Sequence, residues 1–146
     1  MSEPLSSLPC EYLFTITAKT GDKPPVMLKD APGGTKLIVT VTGGSFEGPK
    51  LKGVIADAAG GDWVTLGAGG SMKLDVRLAL TTDDGASIYM TYSGFGKRGE
   101  DGSTTIRTAP QFLTGDERYA WLNTLQCVAH GTTGKGDVTY VVYALT

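Results

Sequence analysis

Ser71-Met-Lys-Leu-Asp-Val-Arg-Leu-Ala-Leu-Thr81, followed by Asp83-Asp84-Gly85 and then Ala86 to Tyr92, decides the fold class. Met72, Leu74, Val76, Leu78 and Leu80 are all apolar, whereas Lys73, Asp75 and Arg77 alternate with them. A period of two is the mark of a strand with one buried face. Asp-Gly tolerates the positive φ angles of a tight turn, so the two runs read as a β-hairpin. The same grammar repeats along the chain, with runs rich in Val, Ile, Thr and Tyr near Glu11–Ala18, Lys36–Thr42, Gly48–Ala56, Trp63–Leu66, Thr104–Leu113, Asn123–Gly131 and Asp137–Leu145. Gly33-Gly34, Gly43-Gly44, Gly60-Gly61 and Gly69-Gly70 punctuate them, which gives the 21 glycines a role as corners and turns.

Only Thr114-Gly-Asp-Glu117 with the following Arg118-Tyr-Ala-Trp-Leu reads as helical, through an S/T-x-x-E capping box near 115–122. About eight to nine strands must hide their edges, and an antiparallel up-and-down β-barrel does so with short connections; a sandwich is the alternative. With 146 residues and 15.3 kDa, the whole chain, 1–146, is expected to form a single barrel domain.

Composition excludes several functions. Thirteen Lys plus Arg stand against 15 Asp plus Glu, and no stretch gathers the positive charge that tracks a phosphate backbone, so no nucleic acid is expected as partner. The first residues carry neither a basic n-region nor an apolar h-region, and no apolar run is long enough to span a bilayer; the expectation is a cytoplasmic protein with no membrane partner. Cys10 and Cys127 are then expected to be reduced thiols. One histidine, His130, and no CxxC leave no ligand cluster for zinc. The nucleotide-binding glycine motifs are missing as well, so chemistry would rest on side chains alone, with no cofactor and no metal.

The stretches Glu11-Tyr-Leu-Phe14, Gly43-Gly-Ser-Phe-Glu-Gly-Pro-Lys-Leu-Lys-Gly53, Gly60-Gly-Asp-Trp63, Leu74-Asp-Val-Arg77, Thr82-Asp-Asp-Gly85 and Tyr119-Ala-Trp-Leu-Asn123 together resemble the DUF3237 (UPF0311) family. The likeness covers nearly the whole chain and implies a calycin-like antiparallel barrel. It implies little about activity. The chain departs from the family pattern in a short stretch from Gly94 to Thr105 and in Ala58-Ala59.

Asp75 and Arg77 are the foremost candidates for chemistry. They either form a solvated pair on the outer face, or line a lumen while the apolar face is covered by a helix or a second subunit, which would make a homodimer. A carboxylate with Arg or Tyr donors where an oxyanion develops is enough to enolise a ketone, shift a double bond, add or remove water, or close a ring. Asp75 is assigned as base or acid, with Arg77 and Tyr89 stabilising negative charge.

Asp62, Trp63, Arg107, Trp121 and Asn123 are candidate substrate contacts. Each has a plainer structural use: Asp62 in a turn, Trp63 in the core, Trp121 in a plugging helix and Asn123 as a backbone cap. Tyr92 is a weaker candidate, and Glu11, Glu47 and His130 have no assigned chemistry. The expected function is a barrel holding a small hydrophobic molecule in its lumen. It acts as a cofactor-independent isomerase, cyclase or lyase on a carbonyl-containing or aromatic compound, or else as a non-catalytic carrier.

Overall fold

The computed structural model describes residues 2–57 and 59–146, which places the Ala58 of the Ala58-Ala59 departure outside the described residues. Twelve strand segments form one antiparallel sheet: β1 (Cys10–Lys19), β2 (Val26–Ala31), β3 (Gly34–Val41), β4 (Gly43–Glu47), β5 (Lys52–Ile55), β6 (Gly60–Leu66), β7 (Ser71–Thr82), β8 (Ser87–Arg98), β9 (Thr104–Thr108), β10 (Gln111–Leu113), β11 (Cys127–Thr133) and β12 (Asp137–Leu145). The segments β1/β2, β3/β4, β5/β6 and β9/β10 are each two parts of one bent stave. Pairings run β1-β4-β5-β7-β8-β9-β11-β12 and return to β1, so the sheet closes on itself. Closure removes the edges that these eight strands would expose in a flat sheet, while β2, paired with β3 alone among the described strands, keeps one free edge.

Twelve segments instead of eight or nine strands reflect breaks within staves. Ala109 and Pro110 interrupt the expected Thr104–Leu113 run because proline supplies no amide to a ladder. β2 was not legible, since Pro24-Pro25 precede it, Lys29-Asp30 lie within it and nearly all of it is exposed. The expected hairpin between β7 and β8 is present, with Gly85 at φ +94° and the Thr82 amide donating to the Ala86 carbonyl.

The inner face is apolar. Leu74, Val76, Leu78 and Leu80 of β7 and Ile88, Met90 and Tyr92 of β8 are buried with Phe14, Ile16, Ile106 and Val142. Burying one such side chain contributes about 1.5–3 kcal/mol, whereas an exposed ion pair contributes about 0–1 kcal/mol. That inequality turns the oily face inward. It corrects the lumen placement of Asp75 and Arg77, whose side chains are 52% and 50% exposed on the outer face, 3.8 Å apart.

One barrel end is plugged by the 3-10 helix Glu117–Thr124, which buries Tyr119 and Leu122 beside the β7–β8 turn. Its cap is Asp116 and not the expected Thr114: the Asp116 carboxylate accepts the Arg118 amide at 3.0 Å. Thr114 is occupied elsewhere, donating its hydroxyl to the Ser87 carbonyl at 2.8 Å. At the opposite end β6, β3 and β2 extend from the first half of β7 as an overhanging lip. No described helix is long and apolar enough to cross a membrane.

Candidate functional site

Asp62 is the candidate side chain that turns inward. Directly paired residues of an antiparallel ladder share a face, and the pairs Val39–Asp62, Asp62–Val76 and Val76–Tyr92 carry one row across four strands. Val76 and Tyr92 are buried, which fixes this row on the inside. Next to Asp62 the β6–β7 pairing lapses between Asp62/Val76 and Thr65/Lys73. The Asp75 amide donates to Asp62 Oδ1 at 3.2 Å in that gap, which pins the carboxylate.

The environment of this carboxyl is mostly apolar. Val39, Val64 and Leu37 share its face, and Met27 of the lip continues it in register with Leu37. Burial raises the Asp62 carboxyl from 3.8 to about 6; the Asp75 amide opposes this, the Asp75 charge adds to it and Lys36 opposes it. Such a group changes protonation near neutral pH, as proton-transfer catalysis needs.

Two buried phenols face the same interior. The rings of Tyr92 and Tyr140 meet edge to face with centroids 4.9 Å apart. Burial holds both phenols above their usual range, and the Asp62 charge raises both further. They therefore stay protonated and serve as donors. Gly131 makes room for Tyr140: a Cβ there would lie 2.5 Å from the ring. On the same inner wall, opposite Gly94, the buried Thr108 hydroxyl has no hydrogen-bond partner among the described residues. A carboxyl titrating near 6 and two phenols that stay protonated are groups able to move a proton and hold an oxygen anion.

The other expected site residues lie elsewhere. Tyr89 is 43% exposed on the outer face of β8, since the inner positions belong to Ile88 and Met90. Trp63 is also outside, with the Arg77 guanidinium 5.1 Å from its ring centroid. Arg107 points outward opposite Phe95 and His130 and binds the Ile106 carbonyl at 2.8 Å. Trp121 packs against the core at the plugged end, with Lys50 Nζ 5.4 Å from its ring. Asn123 brackets the Thr114 backbone, accepting its amide at 2.8 Å and donating to its carbonyl at 3.0 Å, as a cap does. None of these meets Asp62 inside the barrel.

Sequence reasoning missed Tyr140 and undervalued Tyr92. Both share their strand's apolar parity, Tyr92 with Ile88 and Met90, Tyr140 with Val142 and Ala144. A tyrosine in an oily register is the signal of a lumen hydroxyl, and the polar register drew attention to Tyr89 instead. Cys127 is buried, its thiol pushed up to about 11 by burial, while Cys10 is exposed; both are free.

A family model described as "Protein of unknown function (DUF3237)" matches residues 9–145. A UPF0311 protein of Rhodopseudomonas palustris is 32% identical over 129 residues, covering 80% of this chain and 82% of the relative. The hydroalkoxylation enzyme phnH of Penicillium herquei is 30% identical over 134 residues, covering 91% and 80%. Among solved structures, a β-barrel-like protein from Acinetobacter baumannii superimposes with a TM-score of 0.90 at 27% identity, covering 99% of this chain and 100% of the other. An enzyme from Penicillium herquei superimposes at 0.75 with 25% identity, each chain covered completely. Relatives of this barrel thus include an enzyme.

Proposed function

The chain belongs to the DUF3237 family, and from that premise we propose that it is an acid–base enzyme working through its own side chains, with Asp62 as the group that carries the proton. The observation behind this reading is the inward Asp62 carboxyl, held near pH 6 by apolar surroundings beside two protonated tyrosines. The reaction class is addition of an O–H group across a carbon–carbon double bond conjugated to a carbonyl, or its reverse. Ring closure within one molecule is the isomerising case. The relative described as a hydroalkoxylation enzyme supports this class.

Above about pH 6 the Asp62 carboxylate accepts the proton of the attacking hydroxyl while the C–O bond forms. The π electrons move to the carbonyl oxygen, and the resulting enolate is held by hydroxyl donors from the phenol pair and Thr108. Asp62 then returns its proton to the α-carbon, so no atom is gained or lost and the carboxylate is regenerated. The lip residues Met27, Leu37 and Val39 offer apolar surface to the hydrocarbon part of such a substrate.

Cyclisation of 2′-hydroxychalcone to its flavanone, followed by absorbance, tests the assignment. The protein is expected to accelerate closure with a rate that rises as pH increases through about 6, and Asp62→Asn is expected to return it to the buffer rate. Acceleration that survives in Asp62→Asn rules the role out. A carrier would bind the chalcone equally well in both proteins and accelerate nothing.

A further inference from the structure

The outer wall carries a second arrangement that the Asp62 chemistry does not use. Cross-strand pairing sets Thr65, Lys73, Phe95, Arg107 and His130 in one row over β6, β7, β8, β9 and β11. Their strand neighbours Leu74 and Ile106 are buried, so the row faces solvent. Phe95 is 68% exposed, a large aromatic face left bare in the middle of a sheet. Lys73 stands directly opposite it on one side and Arg107 on the other, and Lys97 follows two residues on along the same strand face. The Ile106 carbonyl holds one arm of the Arg107 fork in place.

Lys73, Phe95 and Arg107 border a depression of about 400 Å³ lined also by Ser93 and Ala109. Through those two residues it adjoins a groove of about 560 Å³ that presents Thr91, Gln111 and Gln126. The one carboxylate lining either hollow, Asp75, is already paired with Arg77. Positive charge gathered on both sides of a bare aromatic ring is unusual on a chain whose net charge is -2. Its chemical complement has a flat π system to stack on Phe95 and an anionic group to reach Lys73 and Arg107.

We propose that this face binds a nucleotide-class small molecule, its base stacked on Phe95 and its phosphate between Lys73 and Arg107. Phe95 is the one large apolar ring in the row, with the His130 imidazole two strands away beyond Arg107, and it accommodates one base, whereas surfaces that track single strands set out aromatics for successive bases. The ligand is therefore a free nucleotide or a molecule carrying a nucleotide handle.

Calorimetric titration of the full chain with AMP tests this, with adenosine, inorganic phosphate and deca-thymidylate as comparators. AMP is expected to bind saturably, and each half alone to bind at least about tenfold more weakly, because stacking and charge act together. Phe95→Ala and Arg107→Ala are each expected to weaken AMP about tenfold or more while the melting temperature holds, and Asp62→Asn is expected to leave AMP binding unchanged. Absence of saturable AMP binding overturns the proposal, as does AMP binding indifferent to both outer-wall substitutions. Tighter binding of deca-thymidylate than of AMP overturns it in favour of a polyanion surface, and loss of AMP binding in Asp62→Asn overturns it by placing the ligand in the barrel.

Discussion

At the scale of single residues, Asp62 shows function and stability pulling in opposite directions. Its carboxyl sits near 3.8 in an unfolded chain and near 6 in the barrel, so between those values the folded state binds more protons. Stability from this group is complete below about pH 4, falls as pH rises toward 6 and is absent above it. A shift of this size corresponds to about 2–3 kcal/mol of destabilisation at neutral pH. Asp62→Asn removes the charge and keeps an oxygen for the Asp75 amide. The variant is thus expected to melt at higher temperature than the natural protein at pH 7.5 and to lose that advantage at pH 4, as scanning calorimetry would show. An unchanged difference between the two pH values would mean that the carboxyl is solvated and not buried. Tyr92 and Tyr140, kept protonated by burial, supply donors that titrate well outside the working range.

At the scale of elements, the plug depends on a few polar clasps. Asn123 makes two hydrogen bonds to the backbone of Thr114 and so ties the 3-10 helix to the end of β10. Tyr119 donates to the Asp84 carboxylate, which Arg118 also meets at 3.2 Å, linking the helix to the β7–β8 turn. Asn123→Ala removes one clasp and is expected to cost about 1–2 kcal/mol. The expected readout is a melting temperature lower by a few degrees, with the chalcone reaction unchanged because the plug lies at the end of the barrel opposite the lip. A loss of activity at unchanged stability would instead assign Asn123 to the substrate. The overhanging lip behaves differently, since β2 is almost wholly exposed and holds to the molecule through β3. The prolines before β2 and the Lys29-Asp30 pair within it hid it from a reading based on alternation, whereas the long alternating runs of β7 and β8 were plain.

At the scale of the molecule, the ring is closed by β12, which pairs with β11 on one side and with β1 on the other. Removing 137–146 would unzip both ladders and expose Phe14, Ile16 and Ala129 to water. That truncation is expected to abolish cooperative unfolding, checked by circular dichroism and by binding of an apolar dye. A retained sharp transition would show that seven staves suffice. The amino-acid sequence by itself determined the all-β class, the turns, the plug and the family, because alternation, turn chemistry and ordered motifs are local along the chain. Which face of each strand looks inward was settled by the far larger gain from burying Leu74, Val76, Leu78 and Leu80 than from pairing Asp75 with Arg77. The meeting of Asp62, Tyr92 and Tyr140 required closure of the ring as well, since strands distant in sequence share an interior only when the barrel brings their inner faces together.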